Sequence, residues 1–503
     1  MANIADLLSQ SAELRPDHVA IKVDESELSY AELDRAAAHV AGLLRAKGVQ
    51  PGDRVGIMLP NVAHFALCYY GALRVGAAVV PMNPLLKERE VAFYLGDSGA
   101  RVILAWHQFA EAAHAGAEQA AVECVLVEPG EFEALLQRCQ PAGQVVDRQL
   151  DDTAVILYTS GTTGKPKGAE LTHQNILRNV EVTVDLFGLD QRAVTLGALP
   201  FFHAFGQTCA LNATVSVGGT LTLIPRFNAG KALAILERDA VTVFEGVPTM
   251  YAAMLHDDDA DTADTSALEA CVSGGAAMPV EIMRAFESKF GCEILEGYGL
   301  SETSPVASFN RRGRERKPGS IGLPVTGVEM RLVDDDGNSV AEGDAGEIEI
   351  RGHNVMKGYW RRPEATAEAI DSEGWFSTGD IARIDEDGFF FIVDRKKELI
   401  IRGGFNIYPR EIEEVLYEHP DVREAAVIGI PHPDLGEEVA AAVALKSGAQ
   451  STPEVLRDFV KQRVAAYKYP RYVWLVDELP KGPTGKIVKR EIKPPDDAGK
   501  VGA

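Results

Sequence analysis

The most informative segment of the chain is YTSGTTGKPKG, residues 158–168. Its three glycines let the backbone turn tightly and expose N–H groups, five side chains carry hydroxyls, and two lysines add positive charge. This combination is typical of a phosphate-binding loop, with a flexible surface turn as the alternative. A Walker A loop is excluded, because only two residues separate Gly161 from Gly164 and Pro166 follows Lys165.

Short apolar segments alternate with helical patterns on both sides of this loop. A strand at 154–157 precedes it and a helix start at 171–173 follows it. Short buried strands between helices predict α/β layers with largely parallel sheets. The other predicted segments are helices at 30–47 and 61–73, the second capped by Asn61, and strands at 53–59, 78–81, 102–104, 125–127 and 221–224.

Hairpin patterns with Asp-Gly turns replace this alternation after about residue 319. Asp336-Gly337 and Asp387-Gly388 each separate two apolar segments, which predicts an antiparallel or barrel-like subdomain. Beyond residue 397 the pattern is α+β, with helices at 410–417 and 453–463 and strands at 424–430 and 438–446. The sequence therefore predicts an α/β fold. Its large multi-layer N-terminal domain, 1–396, has parallel sheets plus the barrel-like subdomain, and a small mobile α+β C-terminal domain spans 397–503.

Composition argues against several classes of protein. Lysine and arginine number 50 against 74 acidic residues, so the net charge is -24 and a nucleic-acid partner is not expected. Six scattered cysteines and an N-terminus without a signal-peptide pattern favour a reducing, cytoplasmic location. Segment 201–225 has no charged residue, yet its polar residues and glycines favour a buried helix and strand over an integral membrane segment.

Two further motifs carry side chains that suit a nucleotide. In GYGLSET, residues 297–303, Tyr298 can stack on a base, Ser301 can donate to an oxygen and Glu302 can hold a hard cation. In GWFSTGD, Asp380 can accept hydrogen bonds from ribose hydroxyls. Taken alone, each motif is also consistent with an ordinary turn at a strand end.

Two basic or polar side chains stand out singly. Lys486 lies on the glycine-hinged loop PKGPTGK, residues 480–486, which can deliver a charge to a distant site; a solvated lysine is the alternative. His203 lies in an apolar segment, where a satisfied core histidine is the alternative. The acidic run 257–259 and the basic run 311–317 are expected to be solvated loops, with phosphate or membrane contact as the alternative for the basic one.

These motifs, in this order, closely resemble the adenylate-forming superfamily of acyl-CoA synthetases, luciferases and peptide-synthetase adenylation domains. The resemblance also includes DRKKELIIRGGFNIYPREIE, residues 394–413, and runs from about residue 28 to 486. It implies an enzyme that makes an acyl-adenylate from a carboxylic acid and MgATP, releasing pyrophosphate. Coenzyme A then attacks and yields the thioester and AMP.

The resemblance also implies roles for individual residues. His203 lies beside the reacting carboxylate, Ser301 holds the α-phosphate or carboxylate, Glu302 holds Mg²⁺, and Lys486 bridges acyl and phosphate oxygens as a catalytic residue. Lys397 is the hinge and Gly404 lines the thiol passage. The nucleotide contacts are the phosphate loop Thr159, Ser160, Gly161, Thr162, Thr163, Gly164 and Lys165, the adenine contacts Gly274, Gly275, Ala276 and Tyr298, and the ribose ligands Asp380 and Arg395.

The acid is predicted to be a small-molecule monocarboxylate. Gly297 stands where malonate-using relatives carry an arginine, which disfavours a second carboxylate. A medium- or long-chain fatty acid is favoured over an aryl acid such as a cinnamate, and transfer to a carrier protein or a homodimer stays open. A nucleotide-binding protein without turnover is disfavoured by the intact polar side chains. The apolar pocket is predicted from Phe201, Phe202, Phe205, Val247, Pro248 and Met250.

Overall fold

The computed structural model describes residues 2–159, 166–341, 343–396, 398–403 and 405–495. Within these residues, two large sheets share one hydrophobic core. The larger sheet is parallel through its centre and antiparallel at both edges. Its strands, in spatial order, are Leu323–Pro324, Val306–Phe309, Ile294–Gly299, Ala270–Ser273, Val243–Gly246, Val194–Gly197, Thr220–Leu223, Val19–Val23 and Ser26–Ser29.

The second large sheet carries the predicted phosphate loop. Five of its described strands are parallel, and two antiparallel strands complete one edge. In order they are Gly358–Tyr359, Lys167–Thr172, Thr153–Thr159, Ala78–Pro81, Arg54–Met58, Ala100–Trp106 and Glu123–Val127. The strand Lys167–Thr172 was not predicted. It makes the loop a hairpin connection rather than a direct link from strand to helix.

Two smaller sheets follow; the first is antiparallel, and the second is antiparallel except that Tyr472–Leu475 pairs in parallel with Gly436–Leu445. The Asp-Gly hairpins form a sheet of Val328–Val333, Gly346–Gly352, Phe376–Ile384 and Phe390–Arg395, which confirms the predicted hairpins. The C-terminal sheet contains Phe405–Ile407, Ile400–Arg402, Gly436–Leu445, Val422–His432 and Tyr472–Leu475. It has its own core around Ile412, Leu416 and Val443. Lys397, the predicted boundary, lies outside the described residues.

Helices cover the sheets. The α-helices are Ala5–Leu14, Tyr30–Ala46, Ala63–Arg74, Glu88–Ser98, Ala110–Gln119, Glu131–Gln137, His173–Phe187, Ala213–Ser216, Ala229–Arg238, Pro248–Leu255, Val280–Phe290, Pro363–Ala369, Pro409–Tyr417 and Pro453–Lys461. Phe205–Asn212 is a π-helix. Short 3-10 turns are His107–Phe109, Asp258–Asp261, Ser301–Thr303 and Lys489–Glu491. The predicted α/β class is therefore confirmed.

Local chemistry explains where the helix after the loop begins. Thr172 accepts a hydrogen bond from the Asn175 amide at 3.1 Å, and the Asn175 side chain accepts one from the Thr172 amide at 2.9 Å. This reciprocal pair satisfies two backbone donors of the first turn, so the helix begins at His173 as predicted. Asn175 also donates to the carbonyl of Val355 at 2.9 Å, which ties the helix to the segment before Tyr359.

One predicted cap is wrong. Asn61 does not cap the following helix, which begins at Ala63 after an extended Val62. Its side-chain amide instead donates to the carbonyls of Gly197 and Leu199, at 3.0 and 2.6 Å. The side-chain amide of Asn61 therefore satisfies buried backbone carbonyls at and beyond the end of strand Val194–Gly197. It does not cap the neighbouring helix, as the sequence pattern predicted.

The charged and uncharged runs behave as surface and core. Segment 201–225 forms the π-helix, a short α-helix and strand Thr220–Leu223, as predicted. Among the described residues, no helix is both long and apolar enough to cross a membrane. In the basic run, Arg316 pairs with Glu287 at 2.7 Å and Lys317 with Asp385 at 2.6 Å, so surface carboxylates neutralise both.

Candidate active site

The ends of the parallel strands in the larger sheet place the predicted site. Strand Ala270–Ser273 leads into Gly274, Gly275 and Ala276, and strand Ile294–Gly299 leads into the turn Ser301–Thr303. Strand Val194–Gly197 leads towards His203. Because carboxyl ends of parallel strands meet at one edge, residues far apart in sequence converge there, where open α/β sheets bind ligands.

Glu302 lies at the centre of a polar cluster on this edge. Its side chain is buried, and Oε1 accepts hydrogen bonds from Tyr359 at 3.0 Å and from Thr159 at 3.4 Å. Burial raises the pKa of Glu302, while these two donors lower it. The contact brings the start of the predicted phosphate loop beside the predicted cation ligand. Ser160, Gly161, Thr162, Thr163, Gly164 and Lys165 lie outside the described residues.

Tyr359 is a site residue that the sequence analysis missed. It lies on the two-residue strand Gly358–Tyr359, which pairs with Lys167–Thr172 immediately after the loop. The ammonium of Lys167 lies 5.0 Å from the centre of its ring, within cation–π range. A single sequence gives no signal for this role of Tyr359, because its contact with Glu302 depends on how the edges of two sheets meet.

Asp380 lies in a second polar cluster, which joins the larger sheet to the sheet formed by the Asp-Gly hairpins. Its carboxylate accepts a hydrogen bond from the hydroxyl of Tyr298 and pairs with Arg395 at 3.2 Å. Asp380 and Arg395 are register partners on neighbouring antiparallel strands. Burial raises the pKa of Asp380, and Arg395 and Tyr298 oppose that rise. The predicted adenine contact and both predicted ribose ligands therefore touch one another.

Lys486 reaches this edge from the C-terminal domain. A Cβ atom added at Gly275 would lie 2.8 Å from Cε of Lys486, and Gly275 has a φ of +81°. Thr249 donates a hydrogen bond to the carbonyl of Gly485 at 2.8 Å, which anchors the lysine loop. The backbone conformation therefore favours a glycine at 275, and a side chain there would displace the end of Lys486.

The pKa of Lys486 reflects the groups that surround its ammonium at this edge. Withdrawal from water lowers its pKa to about 8, with the charge of Arg395 acting in the same direction and Asp380 opposing it. Burial, with a smaller contribution from Lys486, lowers the pKa of His203 to about 3, so its ring is neutral near pH 7. His203 and Lys486 are thus close enough to interact.

Further contacts hold the C-terminal domain in this arrangement. Arg410 donates to the carbonyl of Ile392 at 2.8 Å and to that of Gly319 at 3.3 Å. Glu414 accepts from the backbone amide of Val280 at 3.4 Å. These bonds link the helix Pro409–Tyr417 to the larger domain, so the position of Lys486 follows from a defined interface. Gly404 lies outside the described residues.

The wall beside Tyr298 is apolar. A Cβ atom at Gly297 would lie 1.9 Å from the ring of Phe309, so that ring occupies the space of any side chain at 297. Phe205 lies 3.0 Å from the Cβ position of Gly274. Phe201, by contrast, is fully buried and packs on Phe65 with ring centres 5.5 Å apart, so it belongs to the core.

The pKa of Lys486 predicts a pH dependence. The kcat/KM for ATP in adenylation should fall as pH rises through about 8, because the free enzyme then loses the ammonium charge. Lys486→Arg keeps its charge over this range, so its profile should lack that descending limb. Measurement of pyrophosphate release between pH 6 and 10 checks this; an unchanged limb in Lys486→Arg would assign the titration to another group.

Comparison with known proteins places the chain among enzymes that act on acids. Residues 8–360 match the sequence model named AMP-binding enzyme, and residues 411–486 match the AMP-binding enzyme C-terminal domain. A long-chain-fatty-acid–CoA ligase of Bacillus subtilis (strain 168) is 38% identical, covering 97% of this chain and 94% of the relative. A feruloyl-CoA synthase of Amycolatopsis sp is 40% identical, covering 96% of each chain.

A solved structure agrees with these relatives. The benzoate CoA ligase from Burkholderia xenovorans LB400 superposes with a TM-score of 0.91 at 32% identity, covering 98% of this chain and 99% of that one.

Proposed function

We propose, from the premise that this chain belongs to the AMP-binding enzyme family, that it activates a monocarboxylic acid with an apolar body. The chain is an AMP-forming acid–CoA ligase that uses ATP and coenzyme A. In the first step a carboxylate oxygen bonds to the α-phosphorus and pyrophosphate leaves. In the second, the thiol sulfur bonds to the acyl carbon and AMP leaves.

The observation that carries the site assignment is the convergence of Lys486 with the strand-end residues. Lys486, Asp380 and Arg395 interact electrostatically, although Lys486 comes from the C-terminal domain. The ammonium can neutralise charge that gathers on phosphate and carboxylate oxygens, and the protein needs no covalent intermediate of its own. Asp380 accepts the ribose hydroxyls, and Ser301 contributes a hydroxyl at the same edge.

Glu302 fits a hard cation. Its carboxylate is held by two hydroxyl donors next to the start of the phosphate loop. Mg²⁺ usually takes one or two protein carboxylates and completes its shell with water and phosphate oxygens. We therefore assign Mg²⁺ to Glu302 as the ion that neutralises phosphate charge. Tyr359 and Thr159 orient the carboxylate for it.

The acid binds beside an apolar wall. Phe309 fills the space at Gly297, so a cationic side chain that would recognise a second carboxylate has no room there. Val247 and Met250 are buried nearby, and Phe205 faces Gly274. A medium- or long-chain fatty acid is the first candidate. An aryl acid is the second, supported by the feruloyl-CoA synthase and benzoate CoA ligase relatives.

Chain length should set catalytic efficiency. Each buried CH₂ contributes about 0.8 kcal/mol, or roughly fourfold in kcat/KM, until the apolar site is filled. We expect kcat/KM to rise along a saturated series from C2 upwards and then to level off. AMP release with coenzyme A, measured for C2 to C18 acids, cinnamate, ferulate and malonate, checks this. Turnover of malonate above that of octanoate would contradict the apolar site.

The same assay separates free coenzyme A from a carrier protein as the acceptor. Acyl-CoA formed from acid, ATP and coenzyme A supports the proposal. Adenylate formation without thioester formation would favour a carrier protein acting in a separate chain.

A further inference from the structure

Glu245 is a buried carboxyl group that the proposed chemistry does not use. Its side chain is fully buried, and among the described residues neither carboxyl oxygen has a hydrogen-bond partner. Burial raises the pKa of Glu245 well above its ordinary value, which favours the neutral form of the carboxyl group. Buried polar side chains are normally hydrogen-bonded, and an apolar residue would fill this position at lower cost. An unpartnered carboxyl therefore calls for an absent partner.

Its position in the sheet places this carboxyl below the nucleotide edge. Glu245 is the penultimate residue of strand Val243–Gly246 and lies opposite Val272 on the neighbouring strand. Val247, two residues further on, lies 3.8 Å from the Cβ position of Gly275. Two strand residues span about 7 Å. The backbone of Glu245 thus lies at roughly that distance from Val247, which is beside the Gly275 loop.

The other neighbouring strand places a glycine beside Glu245. Val243 and Phe244 lie opposite Thr195 and Leu196, and the same register carried one residue further sets Gly197 beside Glu245. A Cβ atom at Gly197 would lie 2.6 Å from Leu223 and 3.2 Å from Phe201. The side chains nearest the Cβ position of Gly197 are therefore aliphatic and aromatic.

The π-helix Phe205–Asn212 connects this region to the reacting centre. His203 precedes the helix, and Phe205 in its first turn faces Gly274 at 3.0 Å. Cys209, one turn further, lies close enough to Glu245 for the two side chains to interact electrostatically, and burial is the main cause that raises the pKa of its thiol. One helix therefore spans the region from His203 to Glu245. Irregular helices of this kind frequently occur at functional sites.

We propose that Glu245 lines the acyl site and hydrogen-bonds a neutral hydroxyl group on the acid substrate. This inference rests on the proposed function and narrows its substrate class to hydroxylated acids. A neutral carboxyl group can donate one hydrogen bond and accept another, which matches a hydroxyl. The spacing of about 7 Å along the strand is comparable to the distance from the carboxylate to a para substituent of an aromatic acid, or to the sixth carbon of an alkyl chain.

Matched acid pairs test this assignment. The kcat/KM for acyl-CoA formation is measured for 4-hydroxycinnamate against cinnamate and for 6-hydroxyhexanoate against hexanoate. In the parent protein we expect the hydroxylated acid of at least one pair to be preferred by about 10- to 100-fold, the range for one hydrogen bond to a buried group. The pair that shows the preference identifies an aryl or an alkyl source of the hydroxyl. No preference in either pair overturns the proposal.

Two variants assign the preference to Glu245. Glu245→Gln keeps a donor and an acceptor, so the hydroxyl preference should persist. Glu245→Met removes both at similar length, so the ratio should fall to about 1. An unchanged ratio in Glu245→Met overturns the proposal, because another group would then recognise the hydroxyl. If Glu245→Met does not fold, Glu245→Leu serves in its place, and thermal unfolding is measured for each variant.

The outcome is separable from that of the proposed function. If octanoate and cinnamate yield acyl-CoA but the ratios do not depend on Glu245, only this inference fails. If no monocarboxylic acid yields acyl-CoA, the proposed acid class fails first.

Discussion

Lys486→Ala should lose adenylate formation by about 10²–10³-fold while retaining the thioester step. Lys486 approaches Gly275 and Asp380 only because the C-terminal domain docks through Arg410, Glu414 and Gly485. Its charge then acts on oxygens that become more negative as the α-phosphorus is attacked. Attack of the thiol on a finished adenylate needs a passage to the acyl carbon, and rotation of the small domain about residue 397 would move Lys486 away.

Two assays divide the reaction for this test. Pyrophosphate release from acid and ATP reports the first step, and acyl-CoA formation from synthetic acyl-AMP and coenzyme A reports the second. Lys481→Ala is the matched control, since Lys481 lies on the same loop and pairs with Glu424 and Glu478 instead. Equal loss of both steps in Lys486→Ala would make the lysine structural and would remove the support for two domain orientations.

Glu302→Gln should lower adenylation by at least about 10²-fold and raise the Mg²⁺ concentration needed for half-maximal rate. The amide keeps the size of the side chain and can still accept from Tyr359 and Thr159, which lie 3.0 and 3.4 Å from Oε1. It lacks the negative charge that a hard cation requires. Because a buried carboxyl group becomes a neutral amide, the thermal midpoint should stay unchanged or rise.

Rates measured over a Mg²⁺ series distinguish a cation ligand from a turn residue. Glu315→Gln, in the exposed part of the basic run, provides a control that loses the same charge away from the site. Near-normal adenylation by Glu302→Gln at limiting Mg²⁺ would leave Glu302 with a purely structural role.

Several elements of the fold follow from local sequence patterns. Alternating apolar strands and helices predicted the parallel sheets, because side-chain periodicity reports directly which face of an element is buried. Thr172 and Asn175 mark the helix start by their own hydrogen bonds. The failure at Asn61 has the opposite cause, since its amide satisfies backbone carbonyls 136 and 138 residues away. A local pattern contains no information about such a partner.

The candidate site also has features that the local sequence predicts and contacts that it does not. Hydroxyls, glycines and lysines in YTSGTTGKPKG, and the polar residues of GYGLSET and GWFSTGD, predicted the kind of chemistry from residue types alone. The contacts of Tyr298 with Asp380, 82 residues apart, and of Tyr359 with Glu302, 57 residues apart, depend on how sheets pack.

The sequence by itself determined the class of fold, the order of the motifs and the residue types available for phosphate and cation binding, because these depend on local periodicity and side-chain chemistry. Only the tertiary structure decided that Phe309 fills the space at Gly297, that Glu245 is buried without a partner among the described residues, and that Lys486 lies against Gly275. These facts depend on which residues, far apart in the sequence, pack against one another. That is decided by sheet packing and by the docking of the C-terminal domain, which no local pattern encodes.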